Sequence, residues 1–129
     1  MQILQPPNWA KPRGYSNGVA ASGQIVFISG QVGWDADCRF TSPDFVTQAR
    51  QALENIVAIL AEANGKPEHI TRLTWYVVDK QEYLDCGKAL GEAYRDIIGK
   101  HYPAMTAVEV TALIEDMARV EIVATAVIP

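Results

Sequence analysis

Along the chain the period of the apolar residues changes several times, and each change marks an element. Ser42 reads as a helix N-cap with Pro43 at the first helical position, and Phe45, Ala49, Ala52, Leu53, Ile56, Leu60 and Ala63 follow at helical spacing. Gly65, with Pro67 just beyond, predicts the end of that helix. A second helix is predicted from Asp79, which can cap it with Glu82 three positions on; its apolar face uses Tyr83, Leu90, Ala93, Tyr94, Ile97 and Ile98, and Gly99 and Pro103 end it. Runs rich in β-branched and aromatic residues predict strands at 19–21, 25–29, 70–78, 105–113 and 119–128, with Ser22-Gly23 as a tight hairpin turn between the first two. Residues 32–41 lack periodicity and are expected to loop out through at most one short strand, and the Pro-rich start through Pro12 reads as a flexible tail. The order β-β-(β)-α-β-α-β-β implies an α+β layer, one sheet with both helices on one face and the other face in need of cover.

Strand alternation also assigns faces. Met105, Ala107, Glu109 and Thr111 should point one way and Thr106, Val108 and Val110 the other, with the second set suited to the helix side.

Composition narrows the class. At 129 residues the chain forms one domain, 1–129, with 49% apolar and 20% charged residues, and no run approaches the roughly 18 apolar residues of a membrane span. The N-terminus lacks the basic start and apolar block of a secretory signal, so the expected location is cytoplasmic, with no membrane partner. A net charge of −4 and scattered basic residues argue against nucleic acid as a partner. Cys38 and Cys86, outside any CxxC pattern, read as free thiols. His69 and His101 lack metal-site spacing, so neither a metal nor another cofactor is expected.

Four segments carry a resemblance: Tyr15-Ser16, Ser29-Gly30-Gln31 after the apolar run 25–28, the stretch Tyr102-Pro103-Ala104-Met105-Thr106-Ala107-Val108-Glu109-Val110, and Glu121-Ile122-Val123-Ala124. Together they resemble the Rid family of imine and enamine deaminases, also called YjgF/UK114, over nearly the whole chain. The resemblance implies a single six-stranded mixed sheet with two helices on one face, the chorismate-mutase-like arrangement, assembled as a homotrimer with clefts between subunits. It also exposes departures. Met105 stands where deaminating members carry the carboxylate-binding arginine of Pro-Ala-Arg, which places the chain in an arginine-lacking subgroup. Ala107 replaces a frequent cysteine, and Val123 replaces the second glutamate of Glu-Ile-Glu-Ala, thought to position the attacking water. The family's helical asparagine falls on Gly91.

Candidate ligand contacts are accordingly Tyr15, Ser29, Gly30, Trp34, Met105, Ala107 and Val123, and the candidate catalytic groups are Tyr15, Glu109 and Glu121. Tyr15 can donate to a carbonyl or imine nitrogen, a free amide near Gly30 can bind an oxygen, and a pair of carboxylates can split its pKa values into an acid and a base. The plainer readings are that Tyr15 seals a sheet edge, that Ser29-Gly30 packs closely at a strand end, and that Glu109 and Glu121 meet Arg72, Arg119 or solvent. Trp75, alternating with Leu73 and Val77, reads as core or interface, and His101-Tyr102 as the rim of the cleft or an exposed helix end. The function implied is a homotrimer that binds a small metabolite in its intersubunit clefts, with hydrolytic imine or enamine deamination of a non-standard substrate as the activity. The alternative is a noncatalytic ligand-binding or protein-interaction trimer, and endoribonuclease activity fits least.

Overall fold

The computed structural model describes residues 1–129. Its strands are β1 (Gln2–Leu4), β2 (Gly18–Ala20), β3 (Gln24–Val32), β4 (Ile70–Val77), β5 (Ala104–Glu109) and β6 (Val120–Ile128), and its helices are α1 (Phe45–Ala61), α2 (Lys80–Asp85) and α3 (Gly87–Ile97). The α+β layer is as expected, but the six strands are divided between two sheets. A four-stranded mixed sheet runs β3-β6-β4-β5, parallel only between β4 and β5, and β1 pairs with β2 by itself. No helix is long and apolar enough to cross a membrane.

Helix α1 begins two residues later than its sequence signal. Asp44, not Ser42, is the cap and accepts from the Thr47 N–H and hydroxyl, while Ser42 Oγ accepts from the Asp44 N–H. These bonds, led by the Thr47 N–H, hold the Asp44 carboxyl below its ordinary range. A depressed carboxylate contributes its stability above the unfolded pKa and loses it as pH falls through the folded one. Asp44→Ala is expected to cost about 1 kcal/mol at neutral pH, with the gap from the parent closing in strong acid; thermal melts across pH check this.

The buried face of α1, with Phe45, Ala49, Ala52, Leu53, Ile56 and Leu60, packs on Ile28, Leu73, Val120, Ile122, Ala124 and Ala126 of the sheet. At its end the left-handed residue is Asn64 (φ 61°); Gly65 instead permits close approach, because a Cβ there would press into Leu60.

Four further expectations are corrected. The predicted hairpin across Ser22-Gly23 does not form, because β2 is taken by β1, in register Ile3↔Val19, and β3 pairs with β6. The start is therefore a strand rather than a free tail, tied down by an Asn17–Gln5 side-chain bond of 2.7 Å. The second helix is two helices, broken at Cys86 (φ −94°, ψ 12°) immediately before Gly87. As expected, Asp79 caps α2 by accepting from the Gln81 and Glu82 N–H groups. The strand predicted to reach residue 113 stops at Glu109, since its only neighbour, β4, ends at Val77.

The most consequential correction concerns faces. Met105 and Ala107 lie in register with Leu73 and Trp75 and pack against the core on the helix side, whereas Thr106 and Val108 lie beside Thr74 and Tyr76 on the open face. The sequence-based assignment is inverted because it weighed the polarity of β5 alone, and an edge strand with both faces partly exposed carries little such signal. The open face is apolar in part, with Phe27 79% and Ile25 56% exposed beside Val123 and Val127.

Candidate functional site

Beside Met105 the chain forms a cleft of about 470 Å³. Its floor is Trp75 and Met105 from the helix-side face of β4 and β5, its far wall is α2 and α3, and Arg13-Gly14 closes one end. The cleft exists because α3 turns Gly87 and Gly91 toward it, one helical turn apart. A Cβ at Gly87 would meet nothing within 4 Å. Around that gap stand four aromatic side chains. Trp75 and Tyr83 meet edge-on with centroids 6.3 Å apart, and Tyr94 stacks on Tyr102 at 5.5 Å.

Burial, reinforced for Tyr94 by its neighbour Tyr102, pushes the phenol pKa values of Tyr83 and Tyr94 upward, so both remain neutral donors at physiological pH. The Tyr94 hydroxyl donates to the His101 carbonyl, fixing the turn that leads into β5. Trp75 is 4% exposed, and its Nε1 is a buried donor with no partner.

A second hollow lies on the other side of the β5 edge, lined by Tyr15, Ser16, Arg72, Ala104, Met105 and Thr106 among others. Ser16 bridges to Ala104: its N–H donates to the Pro103 carbonyl at 3.0 Å and its hydroxyl to the Tyr102 carbonyl. This pairing carries Tyr15 to Met105, so two of the residues singled out in the sequence come together, with Met105 bordering both spaces.

The other candidates are dispersed. Ser29 and Gly30 lie in a bulge where the β3–β6 register jumps between Ile28 and Gln31, and a Cβ at Gly30 would collide with the Glu121 carboxylate, so close packing accounts for this glycine. Trp34 packs on Phe40 in a bridged loop and lines neither space. Ala107 faces the helices beside Trp75, while Val123, in register with Thr74, faces the open side. Met105 and Val123 therefore point to opposite faces of the sheet.

Glu109 and Glu121 are likewise on opposite faces, in register with Val77 and Tyr76, so the chain does not bring the two carboxylates together as a pair. Glu109 accepts from the Lys80 N–H at 2.8 Å, at the start of α2. Arg119 instead pairs with Glu82 at 2.7 Å, and that hydrogen bond raises its pKa. His101 is not an exposed helix end: its Nε2 lies 2.7 Å from the Ile70 carbonyl, and only Tyr102 reaches the cleft.

Sequence reasoning missed Arg13 and Arg95 and placed Tyr83 and Tyr94 simply in the core. The available signal was the glycine pair, since glycine inside a helical pattern is unfavourable by about 1 kcal/mol relative to alanine and marks a place where a side chain is excluded.

The endoribonuclease L-PSP family model matches residues 8–128. A RutC family protein of Pyrococcus horikoshii is 34% identical over 118 residues, covering 90% of each chain. The 2-iminobutanoate/2-iminopropanoate deaminase of Salmonella typhimurium is 35% identical over 105 residues, covering 81% of this chain and 80% of its own. Among solved structures, the Rid family protein YyfB of Yersinia pestis, of unknown function, superposes with a TM-score of 0.86 at 28% identity over 98% of both chains. TdcF of E. coli, crystallised with bound serine, gives 0.70 at 29% identity over 100% of both. These matches span nearly the full length and share the fold derived above, and the chain belongs to the endoribonuclease L-PSP family, the Rid and RutC proteins.

Proposed function

We propose that this chain, as a homotrimer of the arginine-lacking kind, binds a small reactive metabolite of the imine or enamine class beside Met105 and is a poor catalyst of the hydrolysis carried out by arginine-bearing relatives. The observation that carries this reading is the composition of the two spaces at the β5 edge. They are lined by aromatic and apolar side chains, hydroxyls and guanidinium groups, and by no carboxylate. Ligand sites are commonly apolar clefts of this size with a few polar groups. Rapid hydrolysis of an imine draws on a positioned base to activate water, and within the chain Glu109 is engaged at α2 while Val123 and Glu121 face the other way. The same absence favours a second reading, a binding protein that sequesters its ligand without turning it over.

Without an arginine at position 105, short 2-imino acids lose a charge-assisted contact, which corresponds to roughly 30- to 150-fold in binding and orientation. A dehydratase-coupled assay with 2-iminobutanoate is expected to show at most this residual acceleration relative to an arginine-bearing family member. A rate equal to that member's would overturn the reading and return Tyr15 or a carboxylate from a neighbouring subunit to a catalytic role.

A further inference from the structure

The cleft's charges do not match those of the protein that carries it. The chain has a net charge of −4, yet the groups lining this cleft include two guanidinium groups, Arg13 and Arg95, and no acid. Neither arginine makes an ion pair or hydrogen bond; the two ion pairs of the fold are Arg50–Asp96 and Arg119–Glu82. Arg95 is exposed at the rim of the cleft, with its guanidinium lying over Gly91. Its Nη1 lies 3.2 Å from where a Cβ of Gly91 would stand, so even a methyl at 91 would make a tight contact and shift the guanidinium by a few tenths of an ångström. An unpaired arginine at the edge of a low-dielectric space is a fixed two-pronged donor for a carboxylate.

The remainder of the lining sets the shape of what that carboxylate is attached to. Trp75, Tyr83, Tyr94 and Tyr102 surround about 470 Å³, more than a two- to four-carbon acid fills. We infer that the cleft takes a monocarboxylate with an aromatic or planar conjugated body, its carboxylate held by Arg95 with Arg13 nearby and its body held between the tyrosines and Trp75. The anchor is thereby moved from position 105 on the sheet to position 95 on α3, and Met105 becomes part of the apolar floor. This deepens the proposed metabolite-binding reading and rests on it for the location of the site, but not for any hydrolysis.

Calorimetric titration of the full chain with 3-phenylpropanoate, its neutral isostere 3-phenylpropanamide and the ringless propanoate tests the class. 3-Phenylpropanoate is expected to bind at least tenfold more tightly than either of the others. Arg95→Gln should weaken 3-phenylpropanoate by about 10- to 100-fold while leaving 3-phenylpropanamide unchanged. Gly87→Leu, at a helical position whose side chain would enter open space, should abolish binding of both ring compounds without lowering the melting temperature. Equal affinity for acid and amide, an Arg95→Gln variant with parental affinity, or full binding by Gly87→Leu would each overturn the inference. Binding without turnover of any imine would uphold this site and remove hydrolysis. Rapid 2-iminobutanoate turnover with no preference for the ring would overturn both this inference and the low-activity reading above.

Discussion

For the proposed homotrimer, Phe27→Asp is expected to convert an assembly near three times 14.2 kDa to a folded monomer of 14.2 kDa. Phe27 is 79% exposed on the open face of β3, opposite the core, with Ile25 beside it on the same strand and Val123 and Val127 facing the same way from β6. An apolar stretch of this kind on a sheet with a fully packed other side marks an interface. Burying one phenylalanine contributes roughly 1.5–3 kcal/mol, and forcing a carboxylate into its place adds a desolvation penalty of several kcal/mol. Summed over three subunits the change is on the order of 10 kcal/mol or more, enough to abolish association at micromolar concentration. Because Phe27 makes little contact within its own subunit, circular dichroism should stay near the parent's. Native mass spectrometry is the measurement. A variant that remains trimeric would place the interface elsewhere, and a monomeric parent would remove the proposed homotrimer.

What the sequence revealed follows the strength of its local signals. Helix α1 was legible because Phe45, Ala49, Ala52, Leu53, Ile56 and Leu60 repeat cleanly, and β4 and β6 because buried central strands demand β-branched residues. The failures lie where long-range pairing decides. Nothing local in 18–31 says that Gly18–Ala20 belongs to a strand at the chain's start rather than to its neighbour, and Gln2–Leu4 is too short to announce itself. The site shows the same division. Met105 and Tyr15 were found through motif positions and do converge, whereas the grouping of Glu109 with Glu121 required faces that only the sheet register fixes. Arg13 and Arg95 belong to no motif, and their meaning comes from the empty space left by Gly87 and Gly91.

Gln48→Leu is expected to be strongly destabilising, because Gln48 is a buried polar side chain that joins α1 to the residues leading into β6. It is 1% exposed, its Nε2 donates to the Ser42 and Met117 carbonyls, both at 3.0 Å, and its Oε1 accepts from the Arg119 N–H at 2.8 Å. Leucine has nearly the right volume but leaves three backbone groups without partners, at about 1–3 kcal/mol each before relaxation. A loss of about 3–5 kcal/mol follows, on the order of 10–20 °C in melting temperature for a chain of this length. Gln48→Glu separates the polar cause from the steric one. At neutral pH it sets a buried carboxylate against two carbonyls, which raises its folded pKa, so its penalty should grow as pH rises through the ordinary glutamate range near 4.3 and shrink below it. The loss should also reach the cleft, since Arg119, placed by Gln48, holds Glu82 of α2, and the next residue, Tyr83, is part of the cleft wall. Melting curves for both variants between pH 4 and 8, with 3-phenylpropanoate affinity measured at a temperature where each remains folded, check the whole chain of contacts. A Gln48→Leu variant as stable as its parent would mean that water enters to satisfy the three orphaned groups and that the α1 junction is not sealed.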